Sequence, residues 1–123
     1  MLLDDFFYIN KIQKNEDAIL ATLMVNAEHP IFLGHFPGQP VVPGVCMMEM
    51  MKETMAKGLS VHLRILKSEN MKFLTVQDPR INPLVNAEIR YSEKDGKFGI
   101  NAILFAGDVI FFKLKATFEK IEE

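Results

Sequence analysis

Between Val85 and Phe118 apolar and polar side chains alternate along the chain, and this period of two limits the fold more than any other feature. Val85, Ala87, Ile89 and Tyr91 alternate with Asn86, Glu88, Arg90 and Ser92. Phe98, Ile100, Ala102 and Leu104 repeat the pattern. So do Phe112, Leu114, Ala116 and Phe118, set against Lys113, Lys115, Thr117 and Glu119. Successive side chains of a strand point to opposite faces, so each run has one face for a core and one for water. The pair Asp95-Gly96 is a hairpin signal, and Gly107 turns the chain again. Three consecutive antiparallel strands are predicted, and their shared apolar face needs a cover.

The first half of the chain supplies that cover. Phe6 to Val25 reads as two strands around the polar turn Lys14 to Asp17, the second of them, "AILATLMV", largely buried. Four prolines between Pro30 and Pro43 predict a stiff loop without regular helix or central strand. Pro43 suits a helix start, "GVCMMEMMKETMAKG" then reads as a helix of about four turns, and Gly58 is its stop. Apolar residues surround much of its first two turns, which predicts a buried helix. "VHLRILKS" and "MKFLTV" read as two more strands. The order predicts an α+β fold, with one antiparallel sheet packed on one central helix and residues 1–123 forming a single domain.

Bulk properties narrow the function. A chain of 123 residues with 49 % apolar residues can bury a core. The formal charge of -2 argues against nucleic acid as a partner. The single cysteine, Cys46, excludes an internal disulfide and a Cys-based zinc cluster. It reads as a small buried apolar residue. His29 and His62 read as structural or solvated and make no metal-ligand spacing with His35, so neither a metal nor a cofactor is expected. No apolar run approaches the length of a membrane span, and "MLLDDFFYIN" lacks the pattern of a signal peptide. The expected setting is cytoplasmic.

The chemistry is concentrated in "GHFPGQPVVPGVCMMEMM", Gly34 to Met51. It holds three of the seven glycines, three of the six prolines and four of the eight methionines. The pattern "GHFPG.P..PGV...E" in it resembles that of the 3-hydroxyacyl-(acyl carrier protein) dehydratases, which have the hotdog fold. "HPIFL" before it and Lys72-Phe73 after it are also family-like. The resemblance implies a sheet wrapped around the helix and the reversible removal of water from a 3-hydroxyacyl thioester. It implies His35 as the base that takes the C2 proton and Glu49 as the acid that assists water departure. The Gly44 N–H would polarise the thioester carbonyl, and a glycine there lets the thioester approach.

These roles are chemically sensible. Imidazole is neutral near pH 7 and can act as a base. A carboxyl among Met47, Met48, Met50 and Met51 would have its pKa raised by desolvation. Free N–H groups at a helix start can stabilise an enolate oxygen. Glutamate rather than aspartate at this position is similar to the dehydration-only relatives. Phe36, Val45 and Met48 are candidate walls of an acyl tunnel, and Met47 and Met51 either join them or pack the core. Glu53, one turn beyond Glu49, reads as a surface or dimer-edge carboxylate.

The resemblance also implies a homodimer whose site takes His35 from one subunit and Glu49 from the other, with a trimer of dimers as the larger assembly. The substrate would be carried by acyl carrier protein or coenzyme A. Lys52, Lys57, Arg64, Lys67 and Lys72 are candidates for a basic patch facing an acidic carrier. Two segments depart from the family. "MLLDDFF" replaces a "PHR"-like lead-in, and "LTVQDPRINPL" keeps Pro79 but places Arg80 and Ile81 where the family has Gly and Asp. These departures leave room for a polyketide or polyene pathway. The competing readings are a hotdog thioesterase using Glu49 to aim water, and an inactive acyl-binding or scaffold subunit.

Overall fold

The computed structural model describes residues 1–34, 38 and 40–122. Six strands form one sheet in the order β1-β2-β4-β5-β6-β3, every neighbouring pair antiparallel. They are β1 (Phe7–Lys14), β2 (Ala18–Val25), β3 (His62–Phe73), β4 (Leu84–Lys94), β5 (Lys97–Ala106) and β6 (Val109–Ile121). Among the described residues two helices, α1 (Ile31–Gly34) and α2 (Gly44–Leu59), lie between β2 and β3. The sheet wraps around α2, the α+β arrangement expected.

The alternating runs bury the faces their pattern assigns. Val85, Ala87 and Ile89 of β4, Phe98, Ile100, Ala102 and Leu104 of β5, and Phe112, Leu114, Ala116 and Phe118 of β6 are all in the core. The β4–β5 hairpin closes through Asp95 and Gly96, both at positive φ (54° and 77°), the mirror-type turn that the strand twist favours. On the α2 side, Met47, Met50, Met51 and Met55 are buried, three of them with no exposed surface. Their spacing of three and four residues places them on one helical face.

Four expectations need correction. Gly58 does not end α2. The helix runs to Leu59, and Ser60 takes the left-handed position at φ 56°. The Val61 N–H then closes on the Ala56 carbonyl at 3.0 Å. Gly58 instead lets the helix approach the sheet, since a Cβ there would lie 2.7 Å from Ile19 Cδ1. The two strands read from "VHLRILKS" and "MKFLTV" are one strand, β3, whose register slips between Ile65 and Lys67 and again between Ser68 and Asn70. These irregularities disturb the side-chain period without ending the pairing with β6. The proline-rich loop contains one short helix, α1, immediately after Pro30.

The fourth correction concerns α2 itself, which is not buried all round. Val45 is exposed, and Met48, Glu49, Lys52 and Ala56 are only half-buried. Steps of three and four residues make these a stripe opposite the methionine core. β3 is an edge strand, and from Glu69 to Phe73 it is exposed on both faces.

Two substitutions test this packing in opposite directions. Met50→Ala removes a side chain with no exposed surface and is expected to cost about 2–5 kcal/mol in denaturant unfolding. Ser60→Gly relieves a left-handed residue and is expected to raise stability by about 0.5–1 kcal/mol in the same measurement.

Candidate active site

The loop carrying the glycine and proline motif is pinned at its start by His29. The Ile31 N–H donates to His29 Nδ1 at 3.1 Å. That nitrogen is therefore the acceptor, and Nε2 carries the hydrogen that meets Asp5 Oδ2 at 3.0 Å. The imidazole packs edge-on against Phe6, and Phe32 of α1 packs on the same ring. His29 is thus structural, as expected. The expectations for His35 and Phe36 fall outside the described residues. The loop is described again at Val42, whose N–H bonds the Gln77 carbonyl, and at Pro43, the residue before α2.

Pro43 provides no side-chain cap for α2. Its carbonyl accepts from the Cys46 and Met47 N–H groups at 3.0 and 3.1 Å. The Gly44 and Val45 N–H groups have no backbone acceptor among the described residues, as the first donors of a helix do not. The absent side chain at Gly44 has a neighbour in this chain. A Cβ there would come within 2.5 Å of the Phe73 ring, which stacks on Phe112. The absent side chain at Gly44 therefore makes room for Phe73. Gly44 and Phe73 line a cavity of about 300 Å³ together with Val42, Met47, Val76 and Gln77.

Glu49 opens on a different cavity, of about 470 Å³, lined also by Leu3, Lys52, Glu53, Ala56 and His62. Among the described residues, Gly44 and Glu49 thus line two different cavities. Of the tunnel candidates, Val45 and Met48 share the open stripe of α2 with Glu49, while Met47 and Met51 belong to the core. Of the basic candidates, Lys52 pairs with Glu49 at 2.9 Å and Arg64 with Glu119 at 2.7 Å. Lys72 faces Lys113 across the β3–β6 ladder.

The electrostatics reverse one expectation. Burial raises the Glu49 carboxyl, but hydrogen bonds from Glu53 and Lys52, together with the Lys52 charge, outweigh it. They hold Glu49 below the ordinary carboxyl value of about 4.5. The raised carboxyl is Glu53, pushed up by burial, by its hydrogen bond to Glu49 and by the Glu49 charge. Nor is Glu53 a surface residue: it is 5 % exposed. Its Oε1 accepts the Leu3 N–H at 2.7 Å and the Leu2 N–H at 2.9 Å, and Oε2 accepts Leu2 at 3.0 Å. The sequence signal for it was its place four residues after Glu49, the spacing that makes helical neighbours. Cys46 is buried, and burial, then the nearby Glu49 charge, raises its thiol pKa. It is held as a neutral thiol rather than a nucleophile. Among the described residues no cluster of His, Cys, Asp and Glu has the geometry to hold a metal, and no helix is long and apolar enough to cross a membrane.

The family model described as ApeI-like, ApeI dehydratase, matches residues 11–107. The chain is 32 % identical over 68 residues to the 3-hydroxyacyl-(acyl-carrier-protein) dehydratase FabZ of Rickettsia canadensis, covering 55 % of this chain and 48 % of that protein. It thus spans about half the length of the curated relatives it matches. In fold it is similar to the dehydratase heterocomplex ApeI:P from Xenorhabdus doucetiae, with a TM-score of 0.72, 20 % identity and coverage of 90 % and 96 %. A probable thioesterase from Bartonella henselae shares the fold at a TM-score of 0.58 and 16 % identity, over 75 % of this chain and 84 % of that one.

Lys52→Met separates the Glu49 charge from its partner. Glu49 has a lowered folded pKa, so its contribution to stability is present above about 4.5 and is lost as pH falls through the folded value. The variant is expected to be about 0.5–1 kcal/mol less stable at pH 7, the difference fading towards pH 3, in urea unfolding across that range.

Proposed function

Because the chain belongs to the ApeI-like dehydratase family, we propose that it is a hydro-lyase that reversibly converts a 3-hydroxyacyl thioester into a trans-2-enoyl thioester. The observation that carries this is the motif "GHFPG.P..PGV...E" leading into a helix that presents Glu49 on its open stripe. His35 takes the C2 proton. Glu49 gives a proton to the leaving C3 hydroxyl, which departs as water. The Gly44 N–H, one of the first donors of an uncapped helix, stabilises the enolate oxygen between those events. Val45 and Met48, with Phe36, line the path of the acyl chain.

The active unit is a homodimer. The separation of the Gly44 cleft from the Glu49 cavity within one chain supports a site completed by a second copy. So do the open stripe of α2 and the exposed edge of β3, which offers unpaired N–H and C=O groups to another strand. A trimer of dimers is the larger assembly in keeping with this reading, which takes residues 1–123 as one domain. The substrate arrives on acyl carrier protein or as a coenzyme A thioester, in fatty acid or polyketide and polyene synthesis, in a cytoplasmic setting. No cofactor enters the reaction.

The test is mass spectrometry of a 3-hydroxyacyl carrier thioester incubated with the protein. Loss of one water is expected, with the rate reduced about 10²–10⁴-fold by His35→Ala. Release of free acid would instead identify a thioesterase. An unchanged substrate at every chain length would leave an acyl-binding role.

A further inference from the structure

We infer that Glu53 is a positioning residue for Glu49: anchored by the backbone of residues 2 and 3, it shares one proton with Glu49 and recharges Glu49 as an acid. This rests on the dehydratase reading above. The two carboxyls stand four residues apart on α2 and line the same cavity. They face opposite surroundings. Glu53 is 5 % exposed, whereas Glu49 is half-buried with the Lys52 ammonium 2.9 Å away. Two adjoining carboxyls resist carrying two charges, and the buried one retains the proton. The Leu2 and Leu3 N–H groups load Glu53 Oε1 with two hydrogen bonds and Oε2 with one, which holds the carboxyl in place.

This arrangement resolves a difficulty in the chemistry. A Glu49 held ionised by Lys52 cannot protonate a departing hydroxyl. With Glu53 behind it, the O–H bond of Glu53 breaks as the O–H bond of Glu49 forms. The C3–O bond then breaks with its electron pair on oxygen, and the Glu49 proton completes the water. Both carboxylates end ionised, Glu53 against the Leu2 and Leu3 N–H groups and Glu49 against Lys52. His35 ends with the C2 proton. Solvent returns a proton to the pair and takes one from His35, so the cycle balances. The other charged or titratable groups facing the pair are Cys46 and Lys57 of α2, His62 of β3 and the Met1 amino group.

The experiment combines infrared titration of the isotope-labelled glutamates with kinetics on the full chain. In the wild type a protonated-carboxyl band is expected to persist above the ordinary range. Glu53→Gln should remove it, and Glu49→Gln should shift its midpoint to lower pH. A midpoint unmoved in Glu49→Gln overturns the shared proton, and this arm needs no turnover. In Glu53→Gln the amide still accepts the Leu2 and Leu3 N–H bonds. There kcat is expected to fall at least tenfold at pH 8 with KM within twofold, and the alkaline limb of the profile should move to lower pH. A wild-type kcat and limb in Glu53→Gln overturn the inference. A wild type that removes no water overturns the dehydratase reading, a result distinct from either.

Discussion

The structure depends on the burial of the methionine face of α2 in the concave side of the sheet. Met50, Met51 and Met55 have no exposed surface and meet the inward rows of Phe, Ile and Leu from the strands. Burying a side chain of this size is worth about 1.5–3 kcal/mol, so the four methionines outweigh any single hydrogen bond of the fold. Unbranched thioethers also fill the irregular space of a curved sheet. Once that face is buried, the rotation of the helix is set. Gly58 lies against Ile19, Gly44 lies under Phe73, Val45, Glu49 and Lys52 lie on the open side, and Met48 is half-buried against the core.

The two carboxylates of α2 show how the same residue type is divided by its surroundings. One step of four residues separates an open glutamate held by a lysine from a buried one held by backbone amides. Composition does not distinguish them. The methionines next to Glu49 in the chain mostly point the other way, so sequence neighbours are poor guides to the polarity a helical side chain meets. Glu53 also ties the start of the chain to the helix, through contacts between residues about fifty positions apart.

Much of the architecture was legible because it is written in short periods. The alternation of β4, β5 and β6 depends only on which face each residue takes, and Asp95-Gly96 has the positive φ angles its chemistry suggests. Pro43 marked the start of α2 correctly. The misreadings share a cause. Gly58 was read as a local stop, whereas its smallness serves contact with β1 and β2, and Ser60 carries the left-handed turn. β3 was read as two strands because its register slips disturb the period, while its pairing with β6 continues.

By itself the sequence determined the α+β class, the place of the helix, and the motif "GHFPG.P..PGV...E" by which the chain resembles its dehydratase relatives. All of these rest on local pattern and on residue types at set spacing. Only the tertiary structure decided which side of α2 stays open, that Phe73 occupies the space beside Gly44, and that Glu53 rather than Glu49 is the buried carboxyl. Those depend on how the sheet curves around the helix and on contacts between distant residues. No local pattern encodes them, because burial is a property of what arrives from elsewhere in the chain.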